Sequence, residues 1–282
     1  MTVVSPMPYQ VHPVGFDLGR FLVSPGRKLA GFLIRINATR DILAELASMV
    51  AQRKITVQYF SYSRPVKPGD PITALAFLDF TEADISPKDL AEQQRQLGSV
   101  MEVRVFEPSI EGFIVDSSSH LTIGEDRAVI FRLPCLKGLL VDVRERYGTG
   151  AASLLYHFGV EAGLNLGKAH KAMGEKLGLK DNLLILREIS VRLFSTVGYG
   201  NMEVVEFSNN PPYGLLRIHN SFECELGRGS GRRFSEFVRG MIAGLSTGLL
   251  GAEMFAEEKK CIVDGDAYCE FEVSPKAQKQ PG

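Results

Sequence analysis

The sequence predicts an α/β chain of the α+β kind, built from two dissimilar halves. Between residues 30 and 107, β-branched and aromatic runs alternate with two helical stripes in the order βαββαβ. Beyond residue 127 the helical segments lengthen, and two of them carry glycines at four-residue spacing. The chain then closes on a hairpin with two cysteines, EEKKCIVDGDAYCEF (257–271). Length agrees: 282 residues suit one large domain or two ordinary ones.

The first half is read element by element. AGFLIRI (30–36) is an apolar strand. In 39–53, Ile42, Leu43, Leu46, Met49 and Val50 form the stripe of an amphipathic helix. ITVQYFSYS (55–63) alternates and is a strand, and RPVKPGD (64–70) is a turn by composition. ITALAFLDF (72–80) is the next strand. Ser86 then caps a helix, with Pro87 at its first position and Asp89 favouring its N-terminus. VMEVRVF (100–106) closes the unit. The order is that of a ferredoxin-like fold. Residues 1–29 read as an N-terminal arm and 108–126 as a linker.

The second half, 127–274, opens with a strand, RAVIFRL (127–133), followed by a helix over 135–147. A longer helix over 149–177 carries Gly159, Gly163 and Gly167. Glycine inside a helix costs about 1 kcal/mol against alanine, so something must approach that face closely. DNLLILREISVRLF (181–194) reads as helix. MEVVEF and LLRIHNSFECE read as strands around the turn 209–213. The helix from Phe234 has a second ladder, Gly240, Gly244 and Gly248. The two ladders are expected to pack on each other or across a dimer two-fold. Residues 275–282 are a tail.

Net charge is −1 with basic residues spread along the chain, so direct nucleic-acid binding is not expected. No run reaches about 18 apolar residues, and MTVVSPMPYQ lacks the pattern of a secretory signal. The expectation is a cytoplasmic protein. Four cysteines are too few for a disulfide framework. There is no Gly-x-Ser-x-Gly motif, and Cys135 has no base near it in sequence, so catalysis is not expected. The segment 227–231 (GRGSG) reads as a connector. Cys261 and Cys269 flank a turn at Asp264-Gly265-Asp266. A three-residue loop would set them opposite one another, with Cβ atoms about 4.5–5.5 Å apart. Metal clip, packed thiol pair and disulfide all stay open.

Two resemblances follow from these residues. The βαββαβ pattern of 30–107 resembles the ACT domain family of small regulatory modules. It departs in the turn NATR (37–40), which lacks that family's glycine, so an interaction module is expected rather than an amino-acid sensor. The run FVRGMIAGLSTGLLGAEMFAEEKKCIVDGDAYCEFEV resembles the end of the V4R (4-vinyl reductase) domain family. Its marks are Glu258-x-x-Cys261, Gly265-Asp266, Cys269 and Phe271, preceded by Ser221-Phe222-Glu223. The order of the two halves resembles a group of stand-alone archaeal regulatory proteins.

The V4R resemblance implies an α/β fold shared with nitric-oxide-sensing haem domains and with subunits of a Golgi tethering complex. It implies a homodimer binding a small hydrophobic effector beside a zinc site. That site takes Cys, Glu, Cys and Cys. Glu258, Cys261 and Cys269 match three, while Ser235 stands at the place of the first cysteine. Cys224 completes the set if it points towards the hairpin. His157, His219 and Phe222 are the ligand-binding candidates. The function expected is small-molecule sensing in transcription regulation, with a regulatory protein as partner. The alternatives are a dimeric scaffold acting through its surfaces and a reductase-associated protein of tetrapyrrole metabolism.

Overall fold

Leu29–Ile36 is apolar almost throughout because it is covered on both faces. It is the inner strand β2 of a sheet in the order β3-β4-β2-β5, all neighbours antiparallel. The others are β3 (Thr56–Ser63), β4 (Ile72–Asp79) and β5 (Val100–Phe106). This is the computed structural model of the chain; it describes residues 15–37, 39–63, 67 and 69–276. Residues 64–66 and 68 of the expected turn at 64–70, Ala38 of the 37–40 turn, the start of the arm and most of the tail lie outside the described residues. The chain divides into two compact units, Met1–Val129 and Ile130–Gly282.

In the first unit, helix α1 (Ile42–Gln52) buries Ile42, Leu46 and Val50. Helix α2 (Pro87–Arg95) buries Leu90 and Ala91, and Ser86 Oγ accepts from the Asp89 N–H at 3.2 Å. These side chains share a core with Ala30, Phe32, Ile34 and Ile36 of β2. The βαββαβ arrangement is thus the one expected. The opposite face of β2 and β4, with Leu33, Leu75 and Phe77, packs with Ile114. Ile114 belongs to β6 (Phe113–Val115), which pairs antiparallel with β1 (Phe21–Val23). The segment 108–126, read as a connection, therefore contains strand. Buried Asp116 fixes the ribbon: Arg20 binds its carboxylate at 2.6 Å, and Ser118 and Ser119 donate to it. Burial is the largest single influence and raises its pKa, but the Ser119 and Ser118 donors and Arg20 together outweigh it and hold the pKa below the ordinary value.

A second ribbon pairs β7 (Leu121–Ile123) with β8 (Asp126–Ala128). The strand expected over 127–133 thus stops at Ala128; Val129–Arg132 are neither strand nor helix, and a helix begins at Leu133 with Pro134 in its first turn. That helix runs through α3 (Leu133–Lys137), a π turn (Gly138–Asp142) and α4 (Val143–Tyr147). Helix α5 (Thr149–Lys176) follows, then α6 (Asn182–Ile185), a second π turn (Leu186–Ser190) and α7 (Val191–Thr196). Strands β9 (Asn201–Asn209), β10 (Pro212–His219), β11 (Met254–Lys260) and β12 (Cys269–Pro275) form an antiparallel sheet in the order β11-β12-β10-β9.

Helix α9 (Glu236–Leu250) lies between that sheet and α5. Val238, Ile242, Leu245 and Leu249 join a core with Leu216, Ile218, Phe271 and Val273. Its other face meets α5 through the glycines. A methyl group on Gly159, Gly163 or Gly167 would strike the carbonyl of Phe237, Met241 or Leu245; one on Gly240, Gly244 or Gly248 would strike that of Tyr156, Val160 or Leu164. The two ladders interlock within one chain, the close backbone approach that only glycine permits.

Two expectations are corrected here. The strand over 215–225 ends at His219. Asn220 takes a positive φ of 54°, which ends the ladder, and Phe222–Leu226 forms a short helix, α8. The hairpin loop is also longer than three residues. Glu258 faces Phe271 and Lys260 faces Glu270, with a bulge between, and a 3-10 turn fills Ile262–Asp264. Cys261 is therefore not opposite Cys269, whose strand partner is Ile218.

Candidate metal centre

The displaced strand end and the long hairpin loop bring three cysteines together. Cys224 comes from α8, Cys261 and Cys269 from the two ends of the loop, and all three are fully buried. Cys224 Sγ lies 3.8 Å from Cys261 Sγ and 3.5 Å from Cys269 Sγ. With Glu258 of β11, the four ligand atoms fall within 4.8 Å of one another. All four cysteines of the chain are free, the fourth being exposed Cys135 on α3. The sulfur separations are far beyond a disulfide bond of about 2.0 Å.

Each side chain is held. The Cys224 thiol donates to the Phe234 carbonyl at 3.3 Å, and the Cys261 N–H donates to Asp266 Oδ2 at 2.9 Å. Ser235 Oγ donates to Glu258 Oε2 at 2.7 Å. Glu258 Oε1 is buried with no hydrogen-bond partner. An orphan carboxylate oxygen in an interior costs about 1–3 kcal/mol, so it calls for an explanation.

The electrostatics point the same way. Burial lifts the Glu258 carboxyl to about 8, against the pull of the Ser235 hydroxyl and with the help of negative charge on Cys261. Hydrogen bonding with Cys224 and then Cys269 holds the Cys261 thiol far below its ordinary value. Contact with the Cys261 and Cys269 sulfurs, together with burial, pushes Cys224 up. For Cys269, the bond from Cys224 pulls down, but Cys261 and burial prevail and lift it to about 12. The cluster thus crowds three thiols and one carboxyl into one buried space, with Glu258 Oε1 unpaired.

A cation fits this arrangement. Two thiolates about 2.3 Å from a tetrahedral zinc ion lie about 3.8 Å apart, close to the separations above. Three sulfurs and one oxygen suit a borderline-soft ion. The four predicted ligands, Cys224, Glu258, Cys261 and Cys269, are brought together; Ser235 is placed beside them and bound to one of them.

Behind this cluster lies a second one that sequence reasoning missed. Arg144 of α4 is buried and stacks on the Phe234 ring at 3.9 Å. Its guanidinium donates to Glu223 Oε1, to Glu236 Oε2 at 2.6 Å and to the Leu140 carbonyl at 2.5 Å. Glu223 also accepts the N–H groups of Phe237 (3.0 Å) and Val238 (2.7 Å), the first turn of α9. Burial lifts its carboxyl to about 7 in spite of Arg144. The available signal was spacing: Leu136, Leu140 and Arg144 share one face of a helix.

The ligand-binding candidates are scattered. His157 is exposed on α5, edge-on to Tyr156. His219 ends β10, 3.8 Å from Glu203 and against the Tyr268 ring. Phe222 is half-buried in an aromatic group with Tyr199 and Phe237, their ring centroids 5.5 and 6.4 Å from its own. Among the described residues no hydrogen bond or ring contact joins either histidine to the cysteine cluster or to Phe222.

Residues 215–275 match the V4R domain. The match takes in Cys224, Ser235 and the whole hairpin. No curated protein matches the chain in sequence. Among solved structures, the phenol-responsive sensory domain of the transcription activator PoxR, crystallised with phenol, is similar at 19% identity. The match covers 56% of this chain and 82% of that one, with a TM-score of 0.50, and shows a shared fold. A vinyl-4-reductase family protein from Methanocaldococcus jannaschii is 18% identical over 53% of this chain and 84% of that one, with a TM-score of 0.38. The ACT domain of a GTP pyrophosphokinase from Chlorobium tepidum is 13% identical over 28% of this chain and 99% of that one, with a TM-score of 0.24.

Proposed function

We propose that this is a non-catalytic, ligand-responsive regulatory protein whose V4R domain holds a structural zinc ion and takes a small hydrophobic molecule. The observation behind it is the buried set of Cys224, Glu258, Cys261 and Cys269 within 4.8 Å, with one carboxylate oxygen unpaired. Zinc bound there would supply charge neutralisation and a cross-link. The chain's own residues do the rest. The hairpin brings three donors, α8 brings the fourth, and Asp266 holds the Cys261 backbone N–H. Binding releases protons from the thiols, so affinity rises with pH.

The similarity to a phenol-responsive domain favours an aromatic effector. The rings of Phe194, Tyr199, Phe222 and Phe237, in the half-buried layer around α9, are the proposed neighbourhood for it. A ligand that separates these rings would favour one arrangement of a homodimer over another, a population shift. The ACT-like half would then act on a partner protein by surface contact.

Native mass spectrometry of the full chain, purified without chelator, tests the metal. One zinc per chain is expected, and Cys224→Ser should abolish it. Retention of zinc by that variant would remove Cys224 from the ligand set. Isothermal titration calorimetry tests the ligand: phenol is expected to bind the wild type saturably and Tyr199→Ala markedly more weakly. A response unaltered by that substitution would place the ligand elsewhere.

A further inference from the structure

Ser235 stands just before the first turn of α9, where a serine ordinarily caps its own helix. It does not cap. The backbone N–H groups of Phe237 and Val238 are taken instead by the Glu223 carboxylate. Relieved of that role, the Ser235 hydroxyl turns away from its helix and donates to Glu258 Oε2 at 2.7 Å. Both side chains are buried, so water does not compete for this bond. The backbone of Glu258 is pinned as well: its carbonyl accepts from Arg233, which also binds Asp264 Oδ2 at 2.7 Å and the Lys259 carbonyl at 3.2 Å.

We infer that Ser235 is the positioning residue of the metal centre, holding Glu258 so that it binds through Oε1 alone and setting the first shell at three sulfurs and one oxygen. This rests on the metal reading above. A carboxylate has two oxygens. With Oε2 engaged by Ser235, only Oε1 is left, and Oε1 is the atom found buried without a partner. Three thiolates and one oxygen make four ligands, the number that a structural zinc site takes. With both oxygens free, the same glutamate could bind side-on and raise the coordination to five. Bidentate carboxylates belong to the larger, harder ions such as calcium. Ser235 thereby selects a tetrahedral, thiophilic ion.

The test is X-ray absorption of the full chain loaded with zinc, with cobalt(II) as an optical stand-in. The wild type should show three sulfurs at about 2.3 Å and one oxygen at about 2.0–2.2 Å, with the strong visible bands of tetrahedral cobalt. Ser235→Ala should keep one ion per chain and three sulfurs but gain a second oxygen, and its cobalt bands should weaken several-fold. Ser235→Thr, which keeps the hydroxyl, should restore the wild-type shell and spectrum. A Ser235→Ala shell identical to wild type overturns the inference. So does a wild-type shell of four sulfurs or of two oxygens, which decides the matter even if the alanine variant fails to fold. A wild-type chain that takes up no ion sinks the metal reading and this inference together; an ion held with an unaltered shell sinks only the role of Ser235.

Discussion

Arg144 heads the fully buried side chains by size, and it is charged. Its desolvation is tolerable because every edge of the guanidinium finds an acceptor and its face finds a ring. Breaking a buried pair costs about 3–5 kcal/mol, because the surviving charge is stranded. Arg144→Ala should therefore destabilise the second unit by that order in denaturant melts. Adding Glu223→Gln should recover part of the loss, and strict additivity of the two would show that they do not act as a pair. His170 makes a second prediction. Burial depresses its pKa below the ordinary 6.5, with Ser190 Oγ 3.0 Å from Nδ1. The unfolded chain then binds more protons than the folded one between the two values, so stability rises with pH there. Stability is fully present above about 6.5 and is lost as pH falls from there through the folded value. His170→Gln should flatten that part of a melting-temperature profile. At this scale three members of the candidate cluster, Glu258, Cys261 and Cys269, were legible from motif spacing, while Cys224 joined them only through the turn at Asn220. Arg144 was not, because one arginine inside Val-Arg-Glu-Arg-Tyr looks like any solvated charge until its helix face is known.

At the scale of elements, the glycine ladders make the sharpest prediction. Gly163→Ala drives a methyl group into the Met241 carbonyl. Overpacking costs about 1–3 kcal/mol, and backbone cannot step aside as a side chain can, so the upper end is expected in thermal melts. Gly150→Ala is the control. It lies in the first turn of α5 with open space around it, so it should stabilise by about 0.4–1 kcal/mol. The ladders were legible because glycine is costly in a helix interior and demands a cause. The choice between packing within the chain and across a dimer was not, since spacing fixes a face but not its partner. The short helix α8 was missed for a related reason. Ser-Phe-Glu-Cys-Glu alternates polar and apolar residues as a strand does, and only the left-handed turn at Asn220 ends β10. The hairpin register went wrong because the 3-10 turn and the bulge between Glu258 and Lys260 leave no periodic trace.

For the whole molecule, two units with separate cores predict two separable responses. On the proposed metal reading, a chelator should lower the melting temperature of the second unit and leave the first unit's transition in place. An ion present at about 1,000 times its Kd contributes about 4 kcal/mol, enough to see in a calorimeter. Coincident shifts of both transitions would mean that the units unfold together. The change of pattern between 107 and 127 precedes the division at Val129, but the segment between them contains strand rather than a plain linker. The cover over the first sheet was not legible: the pairing of Phe21–Val23 with Phe113–Val115 joins two short runs some ninety residues apart, and neither is long enough to announce itself.

The placement of the sulfurs along the chain also sets an order of assembly. Cys224 is 37 residues from Cys261 and 45 from Cys269, and α9 lies wholly inside those intervals. Drawing such distant points together has an entropic cost that the docking of α9 on α5 and on the sheet meets before any ion arrives. On the proposed metal reading, the ion is the last part to enter a cradle already closed. A free peptide spanning only the hairpin owns three of the four donors and none of that closure, so it should hold zinc far more weakly than the intact chain. Metal occupancy thus keeps a record of whether the central helix has found its place.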